Sequence, residues 1–186
     1  LTATSGRHAA FQKSDVELLA FLATTIALDM ENLRLHRVSV TDRMTGAFNR
    51  EFLAIRLPQE LELADGNERS LAVAMVDVDH FKDVNDQHGH DVGDDVLCEI
   101  ARRLRAAIRA GDLLVRYGGE EFLVVLPRAN AGQAWEVGER MRTRVALSPV
   151  VVGPRLLPLR VSVGIAQHKL GESATELIRR ADGALY

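Results

Sequence analysis

The chain has 186 residues, 47% of them hydrophobic and 26% charged, a globular balance that excludes an intrinsically disordered chain. Its formal net charge of -3 gives no electrostatic reason to bind a long polyanion, so no nucleic-acid partner is expected. One cysteine, Cys98, rules out an internal disulfide, fits a reducing cytoplasmic setting and is expected to be a small buried apolar group in a helix.

From the N-terminus, Ser14-Asp15-Val16-Glu17 has the pattern of a capping box, with Ser14 as N-cap and Glu17 reaching back. The helix it opens meets no breaker before Gly46. Along it Leu19, Ala23, Ile26, Met30, Leu33, Arg37 and Val40 alternate spacings of four and three, a heptad seam weakened at Arg37. Residues 1–40 are therefore expected to form a coiled-coil stalk that pairs with a second copy; the alternative is a helix packed on its own domain. The apolar run from Leu18 to Leu28 is interrupted by Thr24 and Thr25 and is shorter than the roughly 20 residues of a membrane span. The start also lacks the basic patch and apolar stretch of a signal peptide, so no membrane segment is expected here.

Beyond Thr41 the pattern changes. Asn49 to Ala64 reads as a helix that Pro58 must bend or interrupt. Leu71 to Val76 is a nearly continuous apolar run, as in a buried central strand. Asp91 to Arg109 reads as a helix with Val92, Val96, Ile100, Leu104 and Ile108 on one face. Leu113 to Tyr117 and Phe122 to Leu126 are short strands joined through Gly118-Gly119, a hairpin signal. Ala131 to Val145 is helical, Leu159 to Ala166 is a strand, and Ser173-Ala174-Thr175-Glu176 caps a final helix expected to run to the end of the sequence given. This order predicts an α+β domain, an antiparallel or mixed sheet with helices on one face.

Two acidic turns carry the chemistry. Asp77-Val78-Asp79-His80-Phe81-Lys82 follows the buried strand and leads into a short helix, whose free N–H groups suit phosphate oxygens. Lys82 adds a positive charge, and Asp79 reads as a turn former or N-cap. The second turn, Gly118-Gly119-Glu120-Glu121, places two glutamates where they gain nothing for the core. If the two strands are neighbours, Asp77 and Glu120 meet, and like charges about 4 Å apart repel by about 4 kcal/mol at an effective dielectric near 20. A hard divalent cation with oxygen ligands would resolve the repulsion, magnesium best where phosphates complete the set.

Arg116-Tyr117-Gly118-Gly119-Glu120-Glu121-Phe122 resembles the signature of the GGDEF family of diguanylate cyclases in its Glu-Glu form. Asp42 with "MTGAFNR", "DVDHFKDVNDQHGHDVGDDVL", "VSVGIA" and "RRADGALY" resemble further motifs of that family in the same order, over residues 41–186. The resemblance implies a ferredoxin-like nucleotidyl cyclase core, a mostly antiparallel central sheet flanked by helices, that condenses two GTP into cyclic di-GMP and two pyrophosphates with Mg2+ or Mn2+. It implies that Asp77, Glu120 and the Val78 carbonyl bind metal, that Glu120 also helps deprotonate the attacking 3′-hydroxyl, and that Glu121 sits near that hydroxyl. It further implies that Asn85 and Asp94 read guanine, with His90 close to the nucleotide and Phe81 and Lys82 flanking the phosphates. Asp94 accepting from guanine N1–H and the amino group forms a pair that adenine cannot offer.

Arg109-Ala110-Gly111-Asp112 resembles the family's R-x-x-D inhibitory site for cyclic di-GMP, and Arg140 matches a second inhibitory arginine that a neighbouring domain donates. "SDVELLAFLATTIALDMENLRL" resembles the last helix of a GAF sensory domain. The family continues past its closing tyrosine with a phosphate-contacting Lys and Arg and a last strand; the sequence given ends at Tyr186, so the C-terminal end is expected to be incomplete. A non-catalytic cyclic di-GMP receptor and a cyclase making another dinucleotide are the alternatives; the intact hairpin motif and Asp94 speak against them. His8, His36 and His168 carry no functional signal.

Overall fold

The computed structural model describes residues 15–26, 40–67 and 69–185. The chain divides into two units, Leu1–Ser39 and Val40–Tyr186. In the first, residues 15–26 form a helix (α1) in which the Thr24 and Thr25 hydroxyls donate to the carbonyls of Ala20 and Phe21, so neither threonine breaks it. It carries Leu19, Ala23 and Ile26 of the seam; Ser14, Met30, Leu33 and Arg37 lie outside the described residues.

The second unit follows the order α2 (Arg50–Gly66), β1 (Leu71–Val78), α3 (Phe81–His88), α4 (His90–Arg105), β2 (Leu113–Arg116), β3 (Glu121–Pro127), α5 (Ala131–Ala146), β4 (Val150–Val152), β5 (Arg155–Leu157), β6 (Val161–Gln167) and α6 (Ala174–Asp182). Four strands form a fully antiparallel sheet in the order β2-β3-β1-β6. β1 is central, and Leu71 to Val76 are all buried.

The alternation of β1 splits its side chains between two cores. Ala72, Ala74, Val76 and Val78 pack in a cluster with Val96, Ile100 and Leu104 of α4 and Met141 and Val145 of α5. Leu71, Val73 and Met75 pack with Leu53, Leu57 and Leu61 of α2 and Leu177 and Ala181 of α6. Helices thus cover both faces, which corrects the expected single layer. The reason is legible in β1 itself, since a run of consecutive apolar residues needs cover on both sides.

Helix α2 continues through Pro58, where an interruption was one expected outcome. Only one intrahelical bond is lost there, while Leu53, Leu57, Leu61 and Ala64 anchor the helix on the sheet on either side of it. Ser173 and Glu176 form the expected capping box, and α6 ends at Asp182. The hairpin β4–β5, turning at Gly153 with φ +56°, has no counterpart among the expected elements. Arg103, buried in α4, donates to the carbonyls of Val145 (2.7 Å) and Pro149 (3.1 Å) and so holds the end of α5. The His168 side chain is 4% exposed and lies 2.7 Å from Asp65 of α2, a structural contact.

Candidate active site

The strands that carry the two acidic turns are neighbours. Asp77, near the end of β1, stands opposite Glu121 of β3 on one side and Ser162 of β6 on the other. Val78 follows it, buried and paired with Val161. Glu120 lies one residue outside β3, in the turn. Burial pushes the Asp77 carboxyl above its ordinary pKa, and the charges of Glu120, Glu121 and Asp79 push it further.

The hairpin turn is fixed by backbone. The N–H groups of Tyr117 and Gly118 both donate to the Glu121 carbonyl, at 2.9 and 3.2 Å. The Glu121 carboxylate folds back over Gly118, where a Cβ atom would come within 2.2 Å of it. Position 118 therefore has to be glycine if Glu121 is to keep this pose.

A bracket with no counterpart among the expected site residues holds the turn from outside. Arg116 Nη2 donates to the Gly119 carbonyl at 2.9 Å, while Nη1 pairs with Asp42 at 3.2 Å. Asp42 in turn accepts from the N–H (2.8 Å) and hydroxyl (2.6 Å) of Thr45. Burial works against ionisation of Asp42, but the two Thr45 bonds and Arg116 outweigh it and hold its pKa low. The Arg50 guanidinium lies 4.7 Å from the Tyr117 ring centroid. Phe48 bridges to β2, donating to the Leu114 carbonyl at 2.9 Å and accepting from Arg116 N–H at 2.8 Å. The opening motif thus acts as a buttress for the glutamate turn. The clue in the sequence was opposite charge, Asp42 in one motif and Arg116 in another.

Of the two readings of Asp79, turn former and N-cap, the structure bears out the first, since Asp79 lies in the turn between β1 and α3. Asp79 does not cap the following helix; it accepts from the Ser162 hydroxyl at 2.7 Å, and its N–H donates to the Arg160 carbonyl at 3.1 Å. His80 occupies the N-cap position of α3 in a left-handed conformation with φ 59°, and no side chain caps that helix. Phe81 is buried in the core, which anchors the first turn of α3 beside Asp77, while Lys82 is exposed.

Asn85 of α3 packs on α4 at Gly93. A Cβ atom at position 93 would come within 1.9 Å of Asn85 Oδ1 and 3.2 Å of the Phe81 ring, so the glycine lets the two helices close. Asp94 is the next residue along α4, exposed, as is His90 at the start of that helix. Cys98, one turn further, is half-buried and donates to the Met44 carbonyl at 3.2 Å. Burial raises its thiol pKa, and Asp95 and Asp94 raise it further.

Arg109 and Asp112 form a closed turn at the other end of β2. The Asp112 carboxylate, with its side chain 2% exposed, accepts from Arg109 Nε at 3.0 Å and from Arg109 N–H at 3.1 Å. Arg109 Nη2 donates to the Pro127 carbonyl. Arg140 of the same chain lines a cavity of about 170 Å³ with Arg109 and Asp112.

Among the described residues, no three His, Cys, Asp or Glu side chains converge as a cage for a metal. Asp77 and Glu120 are close enough for one charge to disturb the other, and both offer hard oxygen donors. Two carboxylates and a backbone carbonyl suit a hard divalent cation that keeps positions open for phosphate oxygens, so the residues fit such an ion.

The family model described as "Diguanylate cyclase, GGDEF domain" matches residues 39–186. The chain is 43% identical over 147 residues to the diguanylate cyclase DgcM of Escherichia coli, covering 78% of this chain and 35% of that protein. It is 38% identical over 152 residues to the response regulator PleD of Caulobacter vibrioides, covering 80% and 34%. It is similar, with a TM-score of 0.83 and 29% identity, to the crystal structure of the coiled coil and GGDEF domain of DgcB from Caulobacter crescentus in complex with c-di-GMP, covering 94% of this chain and 93% of that one. The chain thus spans about a third of the length of these curated relatives.

Proposed function

Since the chain belongs to the GGDEF family of diguanylate cyclases, we propose that residues 41–186 condense two GTP into cyclic di-GMP with release of two pyrophosphates. The observation that carries this reading is the meeting of Asp77, Glu120 and Glu121 at one end of the sheet, beside a helix start that no side chain caps. Asp77, Glu120 and the Val78 carbonyl would hold a divalent cation, Mg2+ or Mn2+, which supplies charge for the phosphates and lowers the cost of ionising the attacking hydroxyl. Glu120 takes the proton of the ribose 3′-hydroxyl, with Glu121 beside it. That oxygen then bonds to the α-phosphorus of the other GTP, and the bond to pyrophosphate breaks. The N–H groups that open α3, with Lys82, receive phosphate oxygens, and buried Phe81 keeps that turn in place.

Asn85 and Asp94 select guanine, with His90 near the nucleotide. Asp94→Ser should weaken the preference for GTP over ATP by about 1.5–3 kcal/mol, the scale of hydrogen bonds to a charged group. Competition binding of the two nucleotides measures it, and an unchanged preference would refute the role.

Arg109, Asp112 and Arg140 form a feedback site for cyclic di-GMP. Arg109→Ala should raise the concentration of cyclic di-GMP that halves the variant's own uninhibited rate by roughly tenfold or more, the scale of a lost charge-assisted contact. Inhibition at the original concentration would place feedback elsewhere.

Residues 1–40 are proposed as a stalk, the tail of a GAF-like sensory domain, that pairs two copies. The direct test of the reaction is incubation of the full-length protein with GTP and magnesium, then with ATP in its place, and separation of the products by chromatography. Binding without turnover would favour a receptor, and a mixed or adenine product another dinucleotide; either would overturn the proposal.

A further inference from the structure

The backbone of α4 does not require glycine at position 93. Gly93 is buried in the first turn of the helix and its φ is not left-handed, so alanine would suit the helix better. What requires glycine is a neighbour. A Cβ atom there would come within 1.9 Å of Asn85 Oδ1 and 3.0 Å of Asn85 Cγ, while the Phe81 ring at 3.2 Å would have to give only slightly. The bare backbone at Gly93 is thus the floor on which the Asn85 amide rests.

Asn85 is half-buried, and its side-chain amide takes part in no hydrogen bond among the described residues. Its oxygen lies against Gly93, so its N–H groups turn away from that contact. Asp94, exposed, is the next residue along α4. An amide donor resting on position 93, with a carboxylate at position 94, matches guanine. The base offers N1–H and an amino group to the carboxylate and the acceptor O6 to the amide, whereas adenine carries an amino group in place of O6.

We propose that Gly93 is the positioning residue for guanine selection: having no side chain, it lets the Asn85 amide settle with its donors turned towards the base. This rests on the reading that Asn85 and Asp94 select guanine, and adds to it the residue that sets their geometry. In Gly93→Ala the new methyl group meets the far end of a flexible side chain, so the amide swings aside and the fold survives. The variant should melt near the native midpoint.

Competition binding of GTP and ATP to the full chain, together with KM and kcat for GTP, tests the role. Gly93→Ala should bind GTP roughly fivefold to tenfold more weakly, the worth of one hydrogen bond, and leave ATP binding nearly unchanged. The loss should fall on KM with kcat held within about twofold, because the base is remote from the reacting atoms. Asn85→Ala should show the same loss, and Asn85→Ala/Gly93→Ala no further loss, since no amide is then left to displace. That comparison stands even if Gly93→Ala alone does not fold, because the double variant removes the obstructed group. Native GTP affinity in Gly93→Ala while Asn85→Ala loses it, or additive losses in the double variant, would overturn the role of Gly93 and leave the guanine reading standing. Equal weakening of GTP and ATP would overturn it too, since position 93 would then shape the pocket without selecting the base. Native affinity in Asn85→Ala would remove both.

Discussion

Glu120→Gln should leave the domain folded and lower the rate of GTP condensation by at least about a hundredfold, the scale of removing a general base or a metal ligand. Glutamine keeps the shape of the side chain and removes its charge. The turn does not depend on that carboxylate, because its bonds run from the N–H groups of Tyr117 and Gly118 to the Glu121 carbonyl and from Arg116 to the Gly119 carbonyl. Circular dichroism and the thermal midpoint should therefore match the native chain. The loss falls on chemistry, since the amide neither takes the 3′-hydroxyl proton nor offers an anionic oxygen to a cation. Asp77 reports the same change independently. Burial is the main cause of its raised pKa and Glu120 the next, so the neutral variant should ionise Asp77 at lower pH in the absence of metal. Near-native turnover of Glu120→Gln, with fold preserved, would refute the assignment.

Most of this frame was legible in the sequence because the signals were local. The apolar run of β1, the glycine pair between β2 and β3, and Ser173 three residues before Glu176 each state their structure within a few positions. That β1 and β3 are neighbours entered the sequence reading only as a condition, and the pairing of Asp77 with Glu121 supplies it. What escaped was non-local or weakly patterned. Asp42 and Arg116 are 74 residues apart, and their opposite charge, shared with many other residues, does not by itself state that one closes on the other. Ser162 reaching Asp79 spans 83 residues in the same way. The hairpin β4–β5 has strands of three residues each, too short for alternation to show. Its outward residues Val151 and Leu156 are apolar and exposed, which removes the usual polar contrast. Coverage of both sheet faces was written in β1, but the order of elements alone left the side of each helix open.

The second large effect concerns the stalk, where Leu19→Asp/Ile26→Asp should give monomers and lower activity sharply at low protein concentration. Each domain is proposed to hold one GTP, so one domain carries half of the reaction. The proposed product, cyclic di-GMP, is two-fold symmetric, and making it would require two domains to face each other so that each 3′-hydroxyl meets the other's α-phosphorus. A C2 pair through a shared helix satisfies that geometry. In α1, Leu19 and Ile26 are 37% and 46% exposed, and Val16, Leu18, Phe21 and Leu22 are exposed as well. So much apolar surface on one helix is costly in water unless a partner covers it. A parallel coiled coil through the seam would cover it and would raise the effective concentration of the second domain to the millimolar range. Aspartate at two seam positions sets like charges against each other across the pair. Without the tether, encounter becomes bimolecular, so the rate per domain should fall at least about tenfold at micromolar protein and recover as concentration rises. Light scattering and rate measured across the same concentration series test this. An unchanged dimer in the double variant, or full activity from a proven monomer, would show that the catalytic pair forms without the stalk.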